Sequence, residues 1–330
     1  MALTNLLNSH HLPGRQLLLT SAFLIVCLPA IVIGQEAQPT PPDEDLSRPV
    51  RVRTDLVTLT LTVTDLFGRY VSGLNKNAFT IFDNNQEQEI SFFSDSDAPV
   101  SVGVLFDVSG SMSGDKIQRA RLALKKFINI SHPSDEYFLI GFNNRAQLLL
   151  DRTRDGDAVL QKLTLVEPSK NTALYDAVYL GLERVTRGIH QKKALLIISD
   201  GQDNASRYNF GEVRRLMKES DVVTYAVGIV GAGEFGTMEG MRGQAFLDEL
   251  TSVTGGKSFY PNGGPEMDEI FERIALELRN QYFIGYTPKD FQPDGKWRKV
   301  KVKIKPPRGM PRLTVRSRDG YYASPQSIYR

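Results

Sequence analysis

The sequence predicts an α/β protein, with a Rossmann-like, doubly wound and mostly parallel sheet and an accessory β-sandwich-like domain built from N- and C-terminal strands. Two patterns predict this fold. Between residues 98 and 280, apolar strand-like runs alternate with amphipathic helical segments, as in a parallel sheet covered by helices on both faces. On either side of that region, short segments alternate apolar and polar residues with period two, which is typical of strands with one buried face.

The first 34 residues predict a secretory signal peptide. Arg15 precedes an apolar run over residues 17–33, and we expect cleavage after Gly34. An uncleaved membrane anchor is the alternative, because the run is close to the shortest length that spans a bilayer. The single cysteine, Cys27, lies in this run, so a cleaved chain has no thiol. Export without disulfides favours a bacterial protein of the periplasm, the cell envelope or the extracellular space.

The predicted accessory domain comes from two separate parts of the chain. Residues 35–49 are proline-rich and acidic, which indicates an extended linker. Residues 50–97 form an N-terminal β segment, residues 281–323 return to the same alternating pattern, and residues 324–330 form a tail. Because a lone pair of strands cannot bury a sheet face, we expect residues 281–323 to pair with residues 50–97. The α/β domain, residues 98–280, is then inserted between the two halves of the sandwich.

Six strands and six helices are predicted inside the inserted domain. The strands are VSVGVLFD, DEYFLIGF, AQLLL, KALLIISD, VVTYAVGIV and KSFY. The helices are KIQRARLALKKFINI, DAVLQKLTL, TALYDAVYLGLERVT, NFGEVRRLMKES, QAFLDELTSVT and PEMDEIFERIALELRNQ. Apolar side chains recur at helical spacing in the first helix and predict one buried stripe. They are Ile117, Ala120, Leu124, Phe127 and Ile128.

Two of the predicted central strands end in an aspartate. Asp107 ends VSVGVLFD and leads into DVSGSMS, whereas Asp200 ends KALLIISD. Ligands of open parallel sheets bind beyond the carboxyl ends of the strands, near the point where the strand order reverses. Carboxylate and hydroxyl oxygens there suit a hard cation such as Mg²⁺. A phosphate-binding nest, a nucleophilic serine and side chains that only cap their turns are the alternatives.

These residues resemble the metal-ion-dependent adhesion site of von Willebrand factor type A domains. That family has the pattern Asp-x-Ser-x-Ser, then a later threonine, then a later aspartate that ends another central strand. This chain has all five residues in that order. They are Asp107, Ser109, Ser111, Thr172 and Asp200. The resemblance covers residues 98 to about 280. It implies three hydroxyls that bind the ion directly and two carboxylates that act mainly through coordinated water.

The resemblance implies an adhesion or protein-binding module and not an enzyme. An Asp or Glu of a protein partner would complete the coordination of Mg²⁺, with Mn²⁺ or Ca²⁺ as alternative ions. The net charge of +2 gives no support to nucleic-acid binding. We expect membrane contact only through an uncleaved leader or a peripheral contact, and the sequence leaves the oligomeric state open.

Two other functions remain as alternatives. The first is a structural envelope protein with a degenerate metal site. The second is a metal-dependent hydrolase, which the sequence disfavours because no general base is apparent. The four histidines fall in the leader or in polar connecting segments, and the chain contains no HExxH, Walker lysine or GxSxG.

A finer resemblance concerns the whole architecture. The segment LTVTDLFGRYVSGLNKNAFTIFDN, the adhesion-site domain and the closing RDGYYA together resemble exported von Willebrand factor A-related proteins of acidobacteria and similar soil bacteria. This resemblance implies a bacterial exported protein with a discontinuous sandwich.

The C-terminal segment KWRKVKVKIKPPRG alternates lysines with apolar residues, so one face of the predicted strand is cationic. The lysines are Lys299, Lys301, Lys303 and Lys305. One interpretation is a solvated edge strand that its lysines protect from aggregation. The other is contact with an anionic lipid or polysaccharide.

Overall fold

The computed structural model describes residues 56–112, 114–164, 171–229, 231 and 236–324. The predicted signal peptide and linker lie outside the described residues, as does most of the predicted tail. Within the described part of the chain, no helix is both long and apolar enough to cross a membrane.

The described residues form strands and helices in the predicted order. The strands are β1 (Val57–Thr64), β2 (Phe79–Asp83), β3 (Gln86–Gln88), β4 (Ile90–Ser94), β5 (Val100–Asp107), β6 (Glu136–Phe142), β7 (Ala146–Thr153), β8 (Lys192–Ser199), β9 (Val223–Gly228), β10 (Lys257–Phe259), β11 (Tyr282–Tyr286), β12 (Trp297–Ile304), β13 (Thr314–Arg316) and β14 (Gly320–Tyr322). The α-helices are α1 (Asp115–Ile130), α2 (Gly156–Thr164), α3 (Leu174–Thr186), α4 (Phe210–Glu219), α5 (Met238–Val253) and α6 (Gly264–Arg279).

A six-stranded sheet in the order β10-β9-β8-β5-β6-β7 forms the centre of the α/β region. All neighbouring strands are parallel except β7, which runs antiparallel to β6 at one edge. The chain goes from β5 to β6 and β7 on one side and then returns to place β8 on the other side of β5. The strand order therefore reverses between β5 and β8, which is where open α/β sheets bind ligands.

Helices cover both faces of this sheet, so its central strand is buried along its whole length. On one face, Val104 and Phe106 pack in the same apolar cluster as side chains of α1, α2 and α6. On the other face, Leu105 packs with side chains of α3, α4 and α5. This arrangement explains why β5 reads as a continuous apolar run instead of an alternating one.

The strands outside this region form two four-stranded sheets, β13-β1-β11-β4 and β14-β12-β2-β3. Strand β1 pairs antiparallel with β11, and β2 pairs antiparallel with β12. Apolar residues from both sheets share one core, which includes Leu59, Ile81, Ile284 and Val300. The predicted fold class, with its accessory sandwich of N- and C-terminal strands, is confirmed, while the domain boundaries themselves stay a prediction.

One predicted helix boundary is wrong, and one interpretation of a strand holds only in part. Helix α5 begins at Met238, six residues before the predicted start at Gln244, because Thr237 caps it by accepting a hydrogen bond (3.0 Å) from the N–H of Gly240. The lysine-rich strand β12 is not simply an edge strand, because it lies between β2 and β14. Strand β14 pairs with residues 297–299, and the N–H of Val300 donates to the carbonyl of Asp319 (2.8 Å), so residues 301–304 keep one open side among the described strands.

Candidate metal centre

The two predicted aspartates lie at the switch point of the central sheet. Asp107 is the last residue of β5, and Asp200 follows directly after β8. These strands are parallel neighbours in the register Phe106↔Ile198, which places Asp107 beside Ser199. The Ser199 hydroxyl donates a hydrogen bond of 2.6 Å to Asp107 Oδ2.

The turn after β5 gathers the first three predicted site residues. Asp107 Oδ1 accepts a hydrogen bond of 2.8 Å from the N–H of Ser109. The hydroxyl oxygens of Ser109 and Ser111 lie 3.0 Å apart and are hydrogen-bonded to each other. A short 3-10 helix, Gly110–Met112, fixes this turn. One carboxylate and two hydroxyls are therefore presented together at the end of the strand.

The environment of Asp107 disfavours its charged form. The side chain is fully buried, and this loss of hydration raises its pKa to about 7. The negative charge of Asp200 raises the pKa as well, whereas the hydrogen bonds from Ser109 and Ser199 oppose the shift. Two neighbouring buried carboxylates repel each other, and a cation between them would remove that repulsion.

Asp200 has an unsatisfied oxygen. Its Oδ1 accepts a hydrogen bond of 3.1 Å from the N–H of Gln202, whereas its buried Oδ2 has no hydrogen-bond partner among the described residues. Most buried polar atoms in proteins are satisfied, so each exception needs an explanation, such as a bound ion or water. This orphaned carboxylate oxygen is the observation that a cation at the switch point would explain.

Thr172 is held beside the loop that follows Asp200. Its N–H donates to Asn204 Oδ1 (2.9 Å), and its carbonyl accepts from the N–H of Asn204 (3.0 Å). The next N–H, of Ala173, donates to the carbonyl of Asn143 (2.7 Å) at the end of β6. Thr172 is buried and lies just before α3. Backbone bonds from two loops of the switch-point edge thus fix the position of this threonine.

The same loop is tied to the start of α3. Asp203 Oδ2 accepts from the N–H of Tyr175 (2.9 Å) and from the Ser206 hydroxyl (2.5 Å), and that hydroxyl accepts from the N–H of Asp176 (3.0 Å). Asp203 and Ser206 thus satisfy N–H groups at the first turn of the helix, which have no intrahelical partner. Together with Asn204, they shape the loop.

Residues 102–202 match the sequence profile of the von Willebrand factor type A domain family. The matched segment holds all five predicted site residues in the family's order. The chain contains a von Willebrand factor type A domain. The finer resemblance to proteins of soil bacteria stays a prediction.

The curated proteins that are similar to this chain include one from Synechocystis sp. and one from mouse. An uncharacterized protein of Synechocystis sp. is 22% identical over 195 residues, which is 57% of this chain and 43% of the relative. Heavy chain 4 of the mouse inter alpha-trypsin inhibitor is 29% identical over 148 residues, which is 41% of this chain and 16% of the relative. The chain thus spans less than half the length of either relative.

Among solved structures, a von Willebrand factor type A protein from Catenulispora acidiphila is similar to this chain. The two chains are 13% identical, the match covers 73% of each, and the TM-score is 0.47.

The donor set of the von Willebrand factor type A domain fits a hard cation. Among the described residues, no group of three or more His, Cys, Asp or Glu side chains is placed to hold a metal. The predicted site has only two carboxylates, and its other three oxygen donors are the hydroxyls of two serines and a threonine. It therefore differs from a cluster of three or more acidic, histidine or cysteine side chains. Oxygen donors of these kinds match the chemistry of Mg²⁺.

Ser199 is a polar residue of this region that was not among the predicted site residues. It donates a hydrogen bond to Asp107 through its hydroxyl and accepts one of 3.1 Å from the N–H of Gly201. Its position directly before Asp200 was a signal, because adjacent parallel strands that end together place their last residues side by side.

Proposed function

We propose that this chain is an exported, Mg²⁺-dependent binding module that captures an acidic residue of a protein partner through a bound cation. Ser109, Ser111 and Thr172 would bind the ion through their hydroxyls, and Asp107 and Asp200 would act mainly through coordinated water. Neutral ligands leave much of the ion's charge uncompensated, so the free coordination position attracts a carboxylate of the partner. The proposed activity is binding and not catalysis.

The unsatisfied Oδ2 of Asp200 is the single observation that carries this proposal. A buried carboxylate oxygen without a donor is costly, and it becomes favourable when a cation or a metal-bound water lies next to it. The raised pKa of Asp107 supports the same conclusion, because a cation stabilises both charged carboxylates at once. The von Willebrand factor type A domain, found in residues 102–202, adds support for a binding function.

Thermal unfolding with and without Mg²⁺ tests the first half of the proposal. We expect Mg²⁺ to raise the unfolding temperature of the full chain, because an ion that binds only the folded state stabilises it. The Asp200→Ala variant should lose this increase. Glu89→Ala, at an exposed carboxylate of the sandwich, is the matched control and should keep it. If the folded wild-type protein shows no response to Mg²⁺ or Mn²⁺, the metal-dependent function is wrong, and a structural role becomes the better account.

Chemical blocking tests the second half. We expect the Mg²⁺-loaded chain to retain a partner from a bacterial envelope extract and to release it on addition of EDTA. An extract whose carboxyl groups have been converted to methylamides should yield no partner, because the acidic ligand is gone. Equal retention from the blocked extract would contradict capture through a carboxylate.

A further inference from the structure

The outer face of the sheet β14-β12-β2-β3 carries an unpaired cationic row that the proposed metal site does not use. Lys299, Lys301 and Lys303 are exposed, whereas the intervening Val300 and Val302 are buried in the sandwich core. Lys305 extends the row, and its N–H donates to the carbonyl of Ala78 (2.8 Å), which continues the pairing of β12 with the chain before β2. We call these four side chains the lysine row.

The lysine row follows the strand at a regular backbone spacing. Alternate residues of a strand lie about 6.7 Å apart, so four of them extend over about 20 Å. Their charges are not neutralised, because no described carboxylate forms an ion pair with any of the four lysines. Lysine side chains that follow one another at this backbone spacing repel one another unless an anion lies near them.

The neighbouring strand keeps the surface beside the row free of acids. Lys301 lies opposite Phe82 and Lys303 lies opposite Thr80 on β2. The Lys303 Nζ lies 4.5 Å from the centre of the Phe82 ring, which holds this ammonium group against the sheet. At the β14 side, Lys299 lies opposite Gly320, which has no side chain.

The start of the strand adds a fifth cation. Trp297 lies on the same face as the lysines and packs edge-on against Tyr322, with the ring centres 5.0 Å apart. Lys218 of α4 places its Nζ 4.9 Å from the centre of the Trp297 ring. Positive charge therefore extends along the whole strand, from Lys218 at the Trp297 ring to Lys305 at the other end.

The distribution of charge on this surface favours a linear polyanion over an anionic membrane. The exposed Glu87 lies opposite Phe82 on the far side of β2, so an acid stands about 10 Å from the lysine row. A membrane laid on this face would meet Glu87 as well as the lysines, whereas a single chain can follow the row alone. The rings of Phe82 and Trp297 each carry a lysine ammonium, so they offer no free platform for the base stacking of single-stranded nucleic acid.

We propose that the lysine row binds an extended acidic polysaccharide, whose carboxylates lie against successive lysines. Lysine is a compact point charge with rotatable donors, which suits monodentate carboxylates that vary in spacing. The interaction is electrostatic, so it weakens as salt is added. It goes beyond the proposed metal-dependent function and uses a different surface.

Binding of polygalacturonate, a linear polyuronate, to the full chain tests this inference at low ionic strength. The variant Lys299→Gln, Lys301→Gln, Lys303→Gln should lose roughly tenfold in affinity, as expected when three exposed charge pairs are removed together. A control variant with Lys125→Gln, Arg154→Gln and Lys162→Gln removes the same charge from exposed positions of the α/β region and should bind like the wild type. Replacing the three row lysines by arginine should retain binding, which separates loss of charge from misfolding.

Several results would overturn the inference. Absence of binding by the wild type, unchanged affinity of the glutamine variant, or an equal loss in the control variant would show that the row is not a binding surface. Tighter binding to polyphosphate or to phosphatidylserine vesicles than to polygalacturonate would show that the ligand class is wrong. Polygalacturonate binding should be the same with EDTA and in Asp200→Ala. The result of this test therefore does not depend on whether the proposed metal site exists.

Discussion

Asp107 is a buried carboxyl group whose pKa of about 7 lies above its ordinary value of 3.8. The folded state therefore holds this proton more tightly than the unfolded state does between those two pH values. In metal-free protein, the contribution of Asp107 to the free energy of unfolding is therefore fully present below pH 3.8. This contribution is lost as the pH rises through about 7. We predict that urea unfolding will show this decrease and that it will be absent in Asp107→Asn. Identical pH dependence in the two proteins would contradict a raised pKa of Asp107 in the folded state.

Ser199 stabilises the same carboxylate through its 2.6 Å hydrogen bond. Ser199→Ala removes a donor from a buried group, so we predict a loss of about 1–3 kcal/mol in the free energy of unfolding near neutral pH. Ser252→Ala, which removes an exposed hydroxyl at the end of α5, should change the unfolding free energy by less than about 0.5 kcal/mol. Equal effects in urea titrations would mean that the bond to Asp107 contributes little.

At the residue scale, the sequence predicted the candidate site through order and spacing. The Asp-x-Ser-x-Ser motif, the later threonine and the strand-end aspartate can all be recognised from the order of residues in the sequence. The role of Ser199 is not, because it depends on the register of two strands that are 85 residues apart or more. The unsatisfied Oδ2 of Asp200 also needed the structure, since burial and hydrogen bonding of one atom leave no sequence pattern.

At the scale of elements, two glycines let α5 approach the loop that follows Asp200. Gly201 has a φ of +85°, and a Cβ built on it would lie 2.5 Å from the carbonyl oxygen of Gly243. We predict that Gly201→Ala will lower the free energy of unfolding by more than about 2 kcal/mol and weaken Mg²⁺ binding, because α5 must move away.

Gly236→Ala is the matched control for that variant. The φ of Gly236 is +92°, but nothing lies within 4 Å of the added methyl group. The variant therefore measures the cost of placing alanine at a positive φ without the steric clash that Gly201→Ala also introduces. Differential scanning calorimetry of both variants measures the difference. If they are destabilised equally, the contact between Gly201 and Gly243 does not matter.

The same contact explains why the start of α5 was predicted wrongly. Gly240 and Gly243 give the segment MEGMRG the composition of a loop, since glycine is a poor helix former. Both glycines are buried in the structure, and Gly243 packs against the backbone of Asp200 and Gly201. Close tertiary packing therefore overrides the local propensity, and a single sequence does not reveal such packing.

Helix α6 is joined to the sandwich through a buried carboxylate, Glu277. This carboxylate accepts hydrogen bonds from the hydroxyls of Thr62 (2.9 Å), Tyr225 (2.7 Å) and Tyr70 (3.1 Å), and it pairs with Arg316. We predict that Glu277→Ala will cost about 3–5 kcal/mol in urea unfolding, because Arg316 then loses its counter-charge. Replacing Glu277 and Arg316 together by methionine should cost less than the single change, and a larger cost would contradict this explanation.

At the scale of the whole molecule, the sandwich depends on strands from both ends of the folded region. Strands β1 and β2 find their partners in β11 and β12, more than 200 residues away. A chain that stops at residue 280 leaves both apolar sheet faces without a partner, so we predict that it will aggregate. Adding residues 281–324 in trans should restore protection of residues 56–95 from proteolysis. Equal protection with and without that peptide would contradict an obligatory pairing.

This pairing could be predicted because an apolar alternating strand needs a partner, and only the other end of the chain offered one. The order of strands inside the two sheets could not be predicted. The sequence of β12 suggested an edge strand, because exposed lysines serve that purpose in many sheets. The position of β12 between β2 and β14 follows from the pairing of residues 320–322 with residues 297–299. No local sequence pattern predicts this tertiary pairing.

The most direct test of the central claim is a crystal structure of the chain grown or soaked with Mn²⁺, with anomalous data collected. We predict one anomalous peak at the switch point, about 2.0–2.3 Å from the hydroxyl oxygens of Ser109 and Ser111, with the Asp200 carboxylate facing it. A peak elsewhere, or a fully satisfied Asp200 with no ion beside it, would contradict the account.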